Sequence, residues 1–121
     1  SVAWAQEAPA DAEPAIRATL EAYRTALESE DVEAVAAVHL ELAPEQREGF
    51  VRYFAAADDL TVALTDVDVL LDGDEALVTF TRRDLFRDHA SGKEVQLEVR
   101  LSSVVVHQDV RWLMRGVKRS S

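Results

Sequence analysis

Arg82 and Asp84 are the residues whose types and spacing come nearest to a chemical site. They stand two apart in a run where Val78 and Phe80 alternate with Leu77, Thr79 and Thr81, so a strand that turns Val78 and Phe80 inward turns Arg82 and Asp84 the same way. A carboxylate beside a guanidinium in an apolar cavity can abstract a proton or orient a water, while the guanidinium stabilises the negative charge that develops. The same pair also fits a rim ion pair that ends the buried part of the strand. The residues leave both readings open.

His39 follows Val32, Val35 and Ala36 on the apolar side of a short helix, where an imidazole either lines a cavity as acid or base or packs against terminal carbonyl groups. Asp66 and Asp68 share one strand face, but a hard cation needs further oxygen ligands and the spacing supplies none, so they read as solvated side chains. His89 falls in a turn and His107 ends a strand, and no two histidines stand four apart on a helix. No metal and no other cofactor is expected. Four glycines form no phosphate loop, and no serine sits in a nucleophile-elbow pattern. Tyr23, Phe50, Tyr53, Phe54, Phe80 and Trp112 are the candidate lining of a pocket for a small apolar ligand, and core packing accounts for them equally well.

Three helices precede any strand. Asp11 is placed to cap the first, with Glu13 and Pro14 in its first turn, and Ile16, Leu20, Tyr23 and Leu27 make one apolar stripe. Ser29 or Asp31 caps a short second helix, and Pro44 starts a third whose buried face is Phe50, Tyr53, Phe54 and Ala57. From Leu60 the period becomes two. Leu60, Val62 and Leu64 run out of phase with Val67, Val69 and Leu71, which predicts a bulge at Thr65 and Asp66. Turns at Asp72 to Asp74, Asp88 to Gly92 and Gln108 to Asp109 divide four strands. Val104, Val105 and Val106 are apolar on both faces, which predicts cover on both sides there.

At 121 residues the chain has room for one hydrophobic core. The formal charge of −10 opposes the phosphate neutralisation that nucleic-acid binding requires, so no nucleic acid is expected. There are no cysteines, which removes disulfides, thiolate metal sites and cysteine nucleophiles. No apolar run approaches a bilayer span, so no membrane insertion of the chain is expected. Residues 1–10 read as a leader or linker and residues 11–121 as the domain. Ala3, Trp4 and Ala5 before Gln6 have the small-x-small form of a signal-peptidase site, which leaves an exported and a cytoplasmic origin equally open.

The order of elements resembles the nuclear transport factor two-like superfamily, which includes ketosteroid isomerase-like and polyketide cyclase-like proteins. Ile16 to Tyr23, the step from Ser29 to Val35, Phe50 to Phe54, the hairpin from Asp72 to Phe80 and the terminal run around Trp112 carry the likeness. The resemblance implies an α+β fold of cystatin-like type, three N-terminal helices packed on a strongly curved four-stranded antiparallel sheet. It also implies a cone open at one end to a ligand, and a homodimer through the outer sheet face. The segment from Leu40 to Pro44 is shorter than the small hairpin that many enzymatic members insert there. The expected function is a non-enzymatic cone that binds a small apolar ligand or a protein partner. The alternative is a cofactor-independent isomerase, cyclase or hydrolase with Asp84 as base and Arg82 as electrostatic support.

Overall fold

The computed structural model describes residues 11–120, and the leader or linker at residues 1–10 lies outside them. Helices α1 (Ala12–Ser29), α2 (Val32–Ala37) and α3 (Pro44–Ala56) come first. Strands β1 (Ala57–Asp72), β2 (Glu75–Asp88), β3 (Glu94–Gln108) and β4 (Arg111–Arg119) follow as a curved antiparallel meander in the order β1-β2-β3-β4. Among the described residues no helix is long and apolar enough to cross a membrane.

The stripe on α1 packs as its spacing dictates, with Ile16, Leu20, Tyr23 and Leu27 all buried against the sheet. Asp11 ends the helix differently from expectation. Its side chain makes no capping bond, and its carbonyl accepts the amide of Ala15 instead. Asp31 does cap α2, taking the Glu33 amide at 2.9 Å, and Gln46 reaches back to the Ala43 amide at the start of α3. Helix α3 is the most exposed of the three. Only Phe54 on it is buried, and Ala57 opens β1 rather than closing the helix.

Strands of 9 to 16 residues are long for a small sheet, and irregularities let them curl. The bulge predicted at Thr65 and Asp66 is present, with Asp66 at a φ of 51°. A second one, at Asp59 with a φ of 55°, had no phase signal in the sequence. Each keeps the apolar residues of β1 on the concave side, where Val62, Val78, Phe80 and Val105 close the core with α1. Residues 38–40 run beside β4, exchanging backbone bonds with Met114 on both sides. The free edge of β1 is covered by α1, since Glu28 accepts the Val62 amide at 2.8 Å and Glu30 that of Leu60 at 3.4 Å. Of the three valines expected to be covered twice, Val105 lies in the core and Val106 is buried, while Val104 is half-buried.

Candidate functional site

Strand β2 carries Phe80, Arg82 and Asp84 on its concave face at successive inward positions, between Leu64 and Val62 on β1 and Val99 and Leu97 on β3. Phe80 is fully buried and Arg82 and Asp84 lie where the packed core gives way to a cavity. That cavity measures about 530 Å³ and is bounded by α3, the segment after α2, and the concave ends of β3 and β4. Its walls are mostly apolar, from Leu42, Phe50, Leu97, Val99, Leu101 and Val117. A mouth of this size and lining suits a small organic molecule.

Four polar side chains of the lining form one cluster. Asp84 is 3% exposed and takes Arg82 Nε at 2.8 Å on one oxygen and Arg82 Nη2 at 2.6 Å on the other. The Tyr53 hydroxyl donates to the second oxygen as well, so three of the roughly four acceptor positions of the carboxylate are occupied. Arg82 Nη1 donates to the Tyr23 hydroxyl at 2.8 Å, and the guanidinium lies 5.9 Å from the centre of each tyrosine ring. Burial opposes the charge on Arg82, yet its bonds to Asp84 hold it protonated above its ordinary range. Burial likewise raises both phenols, and for Tyr53 the bond to Asp84 adds to it. At neutral pH the cluster is one ion pair clasped by two neutral tyrosines.

His39 sits on the same cavity, just past the end of α2. Its Nδ1 is 2.8 Å from the carbonyl of Val35, and a carbonyl only accepts, so Nδ1 carries the proton and Nε2 keeps its lone pair. Burial pushes its pKa down, against the Val35 bond, which leaves the ring neutral. The sequence placed His39 either on a cavity or against terminal carbonyls, and both hold.

Arg82, Asp84, His39, Tyr23, Phe50 and Tyr53 are thus brought together. Phe54, Phe80 and Trp112 are not. Phe80 lies edge-on to Tyr23, with ring centres 6.0 Å apart, and belongs to the core beneath the cavity. Phe54 is buried behind Phe50, with ring centres 5.7 Å apart. Trp112 stacks on His107 at 4.8 Å near the turn between β3 and β4. Asp68 pairs with Arg100 on the convex face, and Arg100 also holds the Asp66 carbonyl at 2.6 Å, so this pair steadies the bulge away from the cavity. His89 is exposed and bonded to Asp58. No group of three His, Asp or Glu among the described residues stands close enough to hold a metal. The two tyrosine hydroxyls as partners of the ion pair went unforeseen, because those contacts join elements 31 and 59 residues apart. The alternation of Leu97, Val99 and Leu101 was a signal for the β3 wall.

Comparison with solved structures settles the architecture. A candidate dehydratase of the NTF2-like family from Streptomyces avermitilis is 19% identical and superposes with a TM-score of 0.78 over 93% of this chain and 99% of its own. The chain has the nuclear transport factor two-like fold. A candidate aromatic ring hydroxylase from Novosphingobium aromaticivorans matches this chain at 21% identity and a TM-score of 0.79, over 94% and 96% of the two chains. A protein of unknown function with a cystatin-like fold from Nostoc punctiforme matches at 14% identity and a TM-score of 0.71, over 94% and 95%. At these identities the likeness concerns the fold and carries no activity across. No family model matches the sequence, and no curated protein does.

Proposed function

We propose that the chain is a small-molecule binding domain whose cone takes up a largely apolar ligand with an oxygen function directed at Arg82 and Tyr23. The observation that carries this reading is a cavity of about 530 Å³ with mostly apolar walls and the cluster of Arg82, Asp84, Tyr23 and Tyr53 in its lining. Arg82 retains N–H groups not used by Asp84 or Tyr23, and the Tyr23 hydroxyl accepts from Arg82 and keeps its own proton to donate. A ligand carbonyl or hydroxyl meeting both would be oriented by donors already held in place, at little ordering cost.

Gly49 supplies the test. It lines the cavity on α3, and a Cβ built there meets nothing within 4 Å. Gly49→Leu is expected to stabilise the free protein by about 0.5–1 kcal/mol through helix propensity, and to fill the space a ligand needs. A panel of aryl and alkyl ketones, alcohols and acids is screened by thermal melting on both proteins. A ligand at 100 times its Kd stabilises the wild type by about 2.7 kcal/mol. Ligands that raise the melting point of the wild type and not of the stabilised Gly49→Leu variant support the reading. A panel that moves neither, or both equally, sinks it.

A second reading is favoured by one observation, the unprotonated Nε2 of His39 on the same cavity. As a cofactor-independent isomerase, cyclase or hydrolase, the chain would use His39 to take a proton while Arg82 and Tyr23 steady the oxygen that gains charge. Asp84 then acts by orienting Arg82 and Tyr53, because most of its acceptor positions are filled. Two neighbours of the same fold are named for dehydratase and hydroxylase chemistry, which keeps this reading in view. Turnover that disappears in His39→Asn but survives in Asp84→Asn would favour it over Asp84 as base.

A further inference from the structure

We infer that the ligand is an amphipathic acid, an apolar body ending in a carboxylate or comparable oxyanion that Arg119 receives at the mouth of the cone. This deepens the binding reading above and rests on it. Arg119 is the last residue of β4, opposite Leu101 on β3, and it lines the cavity with Val117. A bulge puts it there. The pairing of β3 with β4 slips between Ser103 and Val104, where Gly116 adopts a φ of 75°. Met114 faces the core, and strict alternation from it would turn Gly116 and Lys118 inward; the extra residue at Gly116 is what turns Val117 and Arg119 inward instead.

The charge balance at the mouth is uneven. Arg82 is matched by Asp84, and Glu98, the other charged group on the rim, is held by Arg83 at 3.2 Å. Arg119 pairs with no carboxylate among the described residues, in a chain with a formal charge of −10. Gln46 stands on the same cavity with its Oε1 engaged by the Ala43 amide, which leaves its NH2 free to donate. The cavity lining therefore offers a cation and an amide donor and contains no unengaged carboxylate, beside walls that are mostly apolar. An oxyanion attached to an apolar body satisfies both halves.

The experiment measures binding of 4-phenylbutanoate, naphthylacetate and decanoate by calorimetry, each against its uncharged amide. The wild type is expected to bind the acid about five- to tenfold more tightly than the amide in at least one pair, with a preference that shrinks as salt is raised. Arg119→Gln is expected to abolish the preference while leaving amide affinity unchanged. Arg52→Gln changes net charge equally on an exposed part of α3 and is expected to keep the preference. Equal affinity for acid and amide, or a preference that survives in Arg119→Gln, overturns this inference and leaves the binding reading standing. Absence of binding by every acid and amide overturns this inference, whereas the binding reading, whose ligand carries an oxygen for Arg82 and Tyr23 that these probes lack, stands or falls with the ketone and alcohol panel.

Discussion

Replacing Asp84 with asparagine preserves shape and removes one charge from a pair whose side chains are 13% and 4% exposed on Arg82 and Asp84. An asparagine that keeps its oxygen on Arg82 Nε turns its NH2 toward Arg82 Nη2 and takes an acceptor from Tyr53, so one of the three bonds to the carboxylate survives. Removing one partner of a buried ion pair costs about 3–5 kcal/mol, and the retained bond offsets about 1 kcal/mol of that. The expected loss is about 2–4 kcal/mol. For a chain of this length the unfolding entropy is about 0.25 kcal/mol per degree, so the melting temperature should fall by about 8–16 °C. Urea unfolding followed by circular dichroism reads the same loss as a lower midpoint at an unchanged m value. Arg82→Met combined with Asp84→Leu removes both charges and is expected to stand within about 1 kcal/mol of the wild type. A single variant that loses less than about 1 kcal/mol, or a double variant that falls as far as the single, would show that the pair is not the buried, mutually dependent unit described above.

Two further outcomes are expected. Burial lowers the pKa of His39 below its ordinary 6.5, so between those values the unfolded chain binds a proton that the native one refuses. The stability His39 contributes is complete above the unfolded value and is lost as pH falls below it, by at most about 1.4 kcal/mol per pH unit. His89 acts with the opposite sign, its pKa raised by its hydrogen bond to Asp58, so the comparison belongs in a His89→Gln background. There, urea midpoints from pH 7 to pH 5 should fall more steeply for His39 than for His39→Asn, and parallel curves would contradict the assignment. On the convex face, exposed Leu70 and Leu77 lie beside half-buried Val104, with Leu85 exposed further along β2, and self-association through this face is the expected result. Sedimentation equilibrium should show a dimer that Leu77→Glu disperses, and a wild type that stays monomeric at high concentration rejects it.

What local pattern governs was legible in the chain. The stripe from Ile16 to Leu27 determined the face of α1, because side chains three and four apart share one side of a helix whatever lies opposite. Alternation from Val78 to Asp84 put Arg82 and Asp84 on the concave face, and the slip after Leu64 announced a bulge, since a strand cannot change phase without an extra residue. The cap at Asp11 failed where the same residue type at Asp31 succeeded, because a side-chain cap depends on backbone angles that composition does not express.

Tertiary structure alone decided which aromatic rings face the cavity and which fill the core. Tyr23 and Phe80 are both fully buried, yet one ends in a hydroxyl bonded to Arg82 and the other does not reach the cavity. Tyr53 meets Asp84 only because α3 closes over the curled sheet, and Arg119 turns inward only because the strands slip at Gly116. These contacts join segments whose separation along the chain leaves no periodic trace. The sequence by itself determined the elements and their buried faces, since both follow from spacing a few residues apart, whereas the cavity is a gap between elements and comes into being only when they pack.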